Sequence, residues 1–149
     1  ITMSIKSEVA NKVSELSRNN LILRNKLDEL EKSQDKRIDE IFCEFLTVID
    51  TFEKAEQSIK ERELDKDEST KKAINRLLNA KKKALFVLEK YNVKRIDFED
   101  NKSVEALCEV SDTEPDPDRE TGDIVSIEKQ GYTRSGHLIR PAEVVIIKN

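Results

Sequence analysis

The side chains of this 149-residue chain best suited to nucleophilic chemistry or zinc binding are those of His137, the only histidine, and the cysteines Cys43 and Cys108. A structural zinc site needs four cysteine or histidine ligands at short spacings, whereas these residues lie in unrelated segments with no CxxC pair. We therefore predict no metal site. His137 is expected at a turn or on the surface, and both cysteines are expected to be buried structural thiols.

Acidic pairs and glycine loops, the other common sources of chemistry, form no catalytic pattern either. The acidic residues of the first 60 positions are interspersed with Lys and Arg, as on the exposed flanks of a coiled coil. Gly122, Gly131 and Gly136 stand apart, whereas a phosphate-binding loop needs several glycines together. We predict no catalytic residue and no cofactor, which favours a protein that works by binding.

The charge distribution limits what such a protein could bind. Residues 93–149 hold 8 Lys and Arg against 13 Asp and Glu, a net charge of −5, while residues 1–92 hold 19 against 18. An acidic compact half repels a phosphate backbone, so nucleic acid is not expected as a partner. No apolar stretch approaches the roughly 20 residues needed to cross a bilayer, so no membrane partner is expected.

One long helix is predicted first, because residues 5 to about 60 contain neither Gly nor Pro. Its first half carries a heptad repeat with steps of three and four. Asn20 occupies position a, where an Asn pairs with its counterpart across a parallel dimer and penalises other registers. We predict a parallel homodimer, with an intramolecular antiparallel hairpin as the alternative. The heptad positions are Val9, Val13, Leu16, Asn20, Leu23, Leu27, Leu30 and Gln34.

The repeat slips between Gln34 and Ile38, where four inserted residues make a stutter that locally unwinds a supercoil. Beyond the stutter the apolar stripe widens, because Phe42, Leu46 and Ile49 add a second row. A widened stripe packs against more than one neighbour. The further dimer contacts predicted here are Ile41, Phe45, Val48 and Phe52.

A second helix is predicted after a charged linker at residues 60–72, with Ser69 or Thr70 as its N-cap. Packed on the widened part of the first helix in two chains, it would complete a four-helix bundle. The lysine run at 81–83 is assigned to its solvent face. Its apolar face comprises Ile74, Leu77, Leu78, Leu85, Leu88 and Tyr91.

The apolar period changes from 3.6 to 2 after about residue 92. Short strands are predicted near residues 93–98, 104–110, 123–129, 131–134 and 138–148, with an acidic loop at 111–123 and a hairpin turn at Ser135-Gly136. They predict a small β-sandwich or barrel-like unit. The fold class is therefore α+β: a long N-terminal dimeric coiled-coil helix, a short helix forming a four-helix bundle in the dimer, and a small C-terminal all-β domain.

The segment "VSIEKQGYTRSGHLIRPAEVVIIKN" resembles the C-terminal motif of the GrpE family, the nucleotide-exchange cochaperones of Hsp70. The motif is a strand, Gly-Tyr, a short turn, Arg-Pro-Ala and a closing apolar strand. "FLTVIDTFEKA" at 45–55 and "SVEALCEV" at 103–110 resemble two further family segments in the same order. The motif positions in this chain are Gly131-Tyr132, Ser135-Gly136, Arg140-Pro141-Ala142 and Val144 to Ile147.

This resemblance implies a homodimeric exchange factor that binds the nucleotide-binding domain of an Hsp70, called DnaK in bacteria. It would hold the nucleotide cleft open so that ADP leaves, and it would serve unfolded client proteins indirectly. It implies a coiled-coil helix at 1–40, a dimerisation bundle at 41–92 and an Hsp70-binding β-domain at 93–149. The implied Hsp70 contacts are Glu128, Gly131, Tyr132, His137, Arg140, Pro141, Ile146, Arg24 and Lys32.

Several of these residues have alternative interpretations. Arg24 and Lys32 would equally suit solvated coiled-coil charges, and the Arg140 fork could meet a carboxylate within the domain or on the partner. Pro141 is expected at the entry of an edge strand, where a missing N–H costs little. Residues 144–147 should alternate between the interior and an exposed side bearing Ile146, with a fully buried central strand as the alternative.

The chain departs from the family pattern at four places. Val104 stands where His is usual, and the usual Phe-Asp-Pro before it is lost in "FEDNKS" at 98–103. His137 replaces a residue that is commonly Arg, and Glu143 one that is commonly Arg or Met. These departures bear on partner choice more than on fold. The resemblance implies a cytoplasmic location, or an organelle matrix if a targeting segment precedes Ile1. The alternative function is a coiled-coil scaffold or chaperone with a β-cap and no nucleotide-linked role.

Overall fold

The computed structural model describes residues 4–149, which divide into two compact units between Asp39 and Glu40. The order of elements is a long helix, a second helix and then strands, so the predicted α+β class is confirmed. The helices are α1, Ile5–Glu61, and α2, Glu68–Lys90. The strands are β1 Val93–Arg95, β2 Cys108–Glu114, β3 Ile124–Lys129, β4 Tyr132–Arg134, β5 His137–Arg140 and β6 Ala142–Ile147.

In the first unit, the described residues from Ile5 onward are one continuous stretch of α1. The predicted heptad side chains lie along it and are exposed in the single chain. The exposed fraction of the apolar ones ranges from 54% at Leu16 to 61% at Leu23. Within the described residues, 4–149, no helix has the length and apolar character required to cross a membrane.

In the second unit, α1 ends at Glu61 and α2 begins at Glu68, so the connection is shorter than the predicted linker at 60–72. The predicted caps Ser69 and Thr70 are wrong. Asp67 is the N-cap, and its carboxylate accepts hydrogen bonds from the backbone N and the Oγ1 of Thr70 at 3.3 and 3.1 Å. Asp is a strong N-cap, and its charge also favours the helix N-terminus.

The helices share a core with the first of two sheets, which we call sheet 1 and whose order is β1-β4-β5, all antiparallel. The second row predicted on α1 supplies two residues of this core, Leu46 and Ile49, and Phe42 packs against it. Tyr132 of β4 is the largest fully buried side chain. The core consists of Leu46, Ile49, Leu88, Val93 and Tyr132.

The second sheet, sheet 2, has the order β2-β6-β3, with β6 parallel to β2 and antiparallel to β3. Its own core contains Ile124, Ala142 and Val144 and is distinct from the core of the helices and sheet 1. Phe98, Cys108, Ile127 and Ile146 pack against it. The β-region is therefore two small sheets, each with a separate core.

The single strand predicted at 138–148 is in fact two strands in different sheets. Pro141 separates them, because proline fixes its backbone and cannot donate to a ladder. The expectation of an edge strand is wrong: β6 is the central strand of sheet 2, with Val144, Val145 and Ile147 buried and Ile146 half-buried. The missing N–H costs nothing here, since Pro141 lies just before the first residue of β6.

The strand predicted at 104–110 is also displaced. Residues Glu105–Leu107 form a short 3-10 turn, and β2 runs from Cys108 to Glu114, into the predicted acidic loop. All its residues after Cys108 are exposed. Because β2 pairs with β6 on one side only, its acidic side chains remain in water, so charge does not exclude this segment from a strand.

Candidate interaction surfaces

An open apolar groove, about 490 Å³ in volume, lies between α1 and α2 in the second unit. Its only polar side chain is that of Thr51, whose hydroxyl donates to the carbonyl of Thr47 at 2.9 Å. The groove brings together Val48 and Phe52, two of the predicted dimer contacts, with residues of α2. The lining residues are Val48, Thr51, Phe52, Ala55, Ile59, Ile74, Leu77 and Leu78.

A polar cleft of about 760 Å³ lies between α1 and the β3–β4 connection. Glu128 and Gln130 line one wall, and Asp50, Glu53 and Lys81 line another. Glu128 is exposed and accepts a hydrogen bond from Ser126 Oγ at 2.9 Å. Of the predicted Hsp70 contacts in the β-region, Glu128 is therefore one whose side chain is open to a partner.

Lys81 was predicted on the solvent face of α2, and this prediction is wrong: its side chain is only 11% exposed. Its Nζ lies 2.7 Å from Oε2 of Glu56 and 3.2 Å from Oε2 of Glu53. Glu53 also pairs with Arg95 of β1. The carboxylate of Glu53 on α1 thus forms one ion pair with Lys81 of α2 and a second with Arg95 of sheet 1.

These ion pairs change the acidities of the groups. The hydrogen bond from Lys81 holds the pKa of Glu56 below its ordinary value, although burial opposes the change. Burial alone would lower the pKa of Lys81, but its hydrogen bonds to Glu56 and Glu53 raise it. The Lys81–Glu56 pair therefore stays ionised across the neutral range, as a partly buried ion pair requires.

The Arg140 fork meets a carboxylate within the chain, which was one of its two predicted alternatives. Its two terminal nitrogens lie 2.7 and 2.8 Å from the carboxylate oxygens of Asp50 on α1. Its Nε and one terminal nitrogen donate to the carbonyl of Gln130 at 3.0 and 2.6 Å, and the guanidinium lies 5.3 Å from the centre of the Tyr132 ring. Only 12% of the side chain is exposed.

Gly131 and Tyr132, two of the predicted Hsp70 contacts, are both buried, and Tyr132 is only 1% exposed. A Cβ on Gly131 would lie 2.6 Å from the backbone N of Ala142 and 2.9 Å from Cδ1 of Ile96. Gly131 is thus required where the chain crosses between the sheets. Neither residue offers a partner any surface in this conformation.

The remaining predicted contacts lie apart from one another. His137 is exposed beside the predicted turn, where Ser135 and Gly136 have positive φ angles of 50° and 85°. Pro141 and Ile146 are half-buried. Arg24 and Lys32 are exposed on the first unit's part of α1, with Lys32 paired to Asp28 at 3.0 Å. Their contact with a partner stays a prediction.

The thiols are not fully buried as predicted: Cys43 and Cys108, which are not joined in a disulfide, are both half-buried. Cys43 Sγ donates to the carbonyl of Ile139 at 3.2 Å, which links α1 to β5. Among residues 4–149, no group of three or more His, Cys, Asp and Glu side chains is arranged to hold a metal ion.

The sequence did not predict the ion pairs that join α1 to α2 and to sheet 1, which involve Asp50, Glu53, Lys81 and Arg95. A signal existed for two of them. Asp50 and Glu53 follow Leu46 and Ile49 at helical spacing, so they share the side of α1 that carries the core residues. A carboxylate beside the buried apolar face of a helix can form an ion pair with a Lys or Arg of the element that packs on that face.

In the second unit, a pair of helices carries an open apolar groove and supports two small sheets, an organisation typical of proteins that act through interaction surfaces. Comparison with known proteins identifies the family. The sequence model of the GrpE family matches residues 4–148. The chain belongs to the GrpE family.

Its similarity to curated members is low but extends over most of the chain. Protein GrpE of Colwellia psychrerythraea is 28% identical over 127 residues, covering 85% of this chain and 59% of that protein. The mitochondrial GrpE protein homolog of Candida glabrata is 30% identical over 129 residues, covering 80% and 52%. The chain thus spans somewhat over half the length of the curated relatives it matches. Because these include bacterial and mitochondrial proteins, its own location stays a prediction.

Proposed function

We propose that this chain is a nucleotide exchange factor that binds the nucleotide-binding domain of an Hsp70, opens its cleft and promotes release of ADP. The observation that carries the proposal is the GrpE family match, which runs through both helices and both sheets. The matches to relatives named GrpE also cover most of this chain's length. The β-region at 93–149 is the proposed Hsp70-binding part, and the helices are the proposed dimerisation part.

The proposed mechanism is differential binding and involves no bond made or broken by this protein. If the exchange factor prefers the open cleft, it weakens nucleotide binding by the same factor by which nucleotide weakens its own binding. A coupling of about 3 kcal/mol corresponds to a factor of about 150. The exposed Glu128 and His137, with the half-buried Ile146, are the proposed direct contacts in the β-region.

The proposed homodimer is supported by two apolar surfaces that the single chain leaves open. One is the heptad stripe on the first unit, whose side chains are more than half exposed. The other is the apolar groove on the second unit. Soluble proteins rarely leave contiguous apolar surfaces in water without a partner. A second copy meeting the groove with its own would give the proposed four-helix bundle.

Stopped-flow release of a fluorescent ADP analogue from Hsp70 tests the proposed function directly. Adding this chain should accelerate release in a saturable way, and prior saturation with ATP should weaken binding between the two proteins. Glu128→Lys should raise the concentration needed for half-maximal acceleration, whereas Glu44→Lys, at an exposed site on α1, serves as the matched control. Binding that is indifferent to nucleotide, without acceleration, would instead support the scaffold alternative.

A further inference from the structure

The polypeptide crosses between the two sheets at three places. The longest crossing, residues 96–107, leads from β1 to β2. The other two are short: Gln130 and Gly131 connect β3 to β4, and Pro141 connects β5 to β6. The short crossings leave little slack, so the contacts made at these points set the angle between the sheets.

Sheet 1 is fixed to the helices, whereas sheet 2 is not joined to them by a common core. Tyr132 and Val93 of sheet 1 are buried with Leu46, Ile49 and Leu88 of the helices. The core of sheet 2 draws on β2, β3, β6 and Phe98, with no helical residue in the cluster. Because no shared core fixes sheet 2 to α1, the contacts at the crossings are the strongest candidates for setting its orientation.

The Arg140 side chain lies at both short crossings at once. It immediately precedes Pro141, and its guanidinium donates two hydrogen bonds to the carbonyl of Gln130. The same group forms the two-oxygen pair with Asp50 of α1 and lies over the Tyr132 ring. A planar guanidinium makes such contacts in a fixed geometry, which a lysine could not reproduce.

We propose that Arg140 and Asp50 are positioning residues, which hold sheet 2 at one angle to α1 without themselves touching a partner. The angle itself is a property of this chain alone. Its importance for exchange rests on the proposed function, because sheet 2 carries Glu128 and Ile146 among the proposed Hsp70 contacts. If sheet 2 holds the Hsp70 cleft open, its orientation has to stay fixed against the tendency of the cleft to close.

The first experiment measures residual dipolar couplings of the backbone amides in the parent protein and in Asp50→Asn. Asn has the shape of Asp, so the helix and core should persist, but the charge that holds the Arg140 fork is removed. In the parent, one alignment tensor should fit sheet 2 together with residues 40–61 of α1, α2 and sheet 1. In Asp50→Asn the couplings within sheet 2 should shrink and need a tensor of their own.

Two further variants show whether the fork geometry matters. Arg140→Lys keeps the charge and should give an intermediate loss of alignment in sheet 2. Glu44→Gln removes an exposed carboxylate from the same helix and should behave as the parent. A single tensor for all elements in Asp50→Asn would overturn the proposal, since sheet 2 would then be oriented without this pair.

The second experiment asks whether the angle matters for exchange. With Hsp70, Asp50→Asn should lower the rate of ADP release at saturating exchange factor about tenfold, with a smaller change in the half-saturating concentration. A residue that only contacted the partner would mainly raise that concentration. An unchanged saturating rate in a variant with a reoriented sheet 2 would refute the link to exchange. If the parent itself fails to accelerate release, the proposed function fails, and the dipolar couplings still decide the positioning role.

Discussion

The Nζ of Lys81 on α2 lies 2.7 Å from a carboxylate oxygen of Glu56 on α1, and only 11% of the lysine side chain is exposed. The same ammonium lies 3.2 Å from Glu53, which in turn holds Arg95 of β1. This lysine lies in a run of three, at 81–83, but its two neighbours are exposed. The charged group therefore connects the two helices and sheet 1.

Replacing Lys81 by Met should lower the free energy of unfolding by about 1–3 kcal/mol, because Glu56 and Glu53 lose a partner in a partly buried position. The carboxylates remain about a quarter exposed, which limits the loss. Urea unfolding at a fixed protein concentration would measure it. Lys82→Met is the matched control and should change the value by less than about 0.5 kcal/mol. Equal effects of the two substitutions would contradict the assignment.

Acid should weaken the same contact. Because the Lys81 hydrogen bond holds the pKa of Glu56 below its ordinary value of 4.5, the unfolded state binds more protons as the solution is acidified. The stabilisation is complete above pH 4.5 and is lost as the pH falls through the lower folded-state value. Lys60 and Arg95 also lower the pKa and remain after Lys81→Met. The variant's free energy of unfolding should therefore depend less steeply on pH as the pH falls below the ordinary value of 4.5; parallel curves would contradict this.

Gly131→Ala should be among the most damaging small substitutions in the β-region. The added Cβ would meet the backbone N of Ala142 at 2.6 Å, and backbone at a crossing between sheets cannot move aside easily. We expect a loss of about 2–3 kcal/mol in thermal or urea unfolding. Gly136→Ala offers the comparison, since its Cβ would meet nothing within 4 Å and only its φ of 85° opposes the change. That variant should lose about 1 kcal/mol.

A charge in the apolar groove should separate the proposed dimer. Leu77→Lys places an ammonium among Phe52, Ala55 and Ile74, so sedimentation should show a shift towards monomer at micromolar concentration. Phe86→Lys is the control, because Phe86 is 60% exposed against 61% for Leu77 but does not line the groove. A dimer that survives Leu77→Lys and dissociates on Phe86→Lys would place the interface on the other face of α2.

Features that depend on neighbours along the chain were predictable from the sequence. The second apolar row at Phe42, Leu46 and Ile49 follows from helical spacing, and the turn at Ser135-Gly136 follows from residues that tolerate positive φ. Long-range ionic partners were not predictable. Asp50 and Arg140 are separated by 90 positions, and neither charge differs locally from those that remain in solvent.

The errors in the strands have a similar cause. β2 is acidic because it is an edge strand exposed along most of its length, and nothing local distinguishes such a segment from a loop. Pro141 was expected at the entry of a strand, where it does lie, but the same prediction ran one strand through it from 138 to 148. The change of sheet at Pro141 depends on β6 pairing with both β2 and β3, which are distant in sequence. Lys81 resembles its neighbours 82 and 83 in sequence, and only the position of α1 separates them.

The place of β6 in sheet 2 has a consequence for synthesis on the ribosome. It is the central strand, but it is synthesised after both of its neighbours. The pairing of Cys108 with Ala142, for example, cannot form until β6 has left the ribosome. The helix pair can assemble early from local contacts, whereas β2 and β3 leave the tunnel without the strand that joins them. Glu109, Asp112 and Glu114 make the waiting β2 strand repel copies of itself on neighbouring nascent chains. We therefore expect the acidity of this edge to limit pairing between nascent chains until β6 has been synthesised.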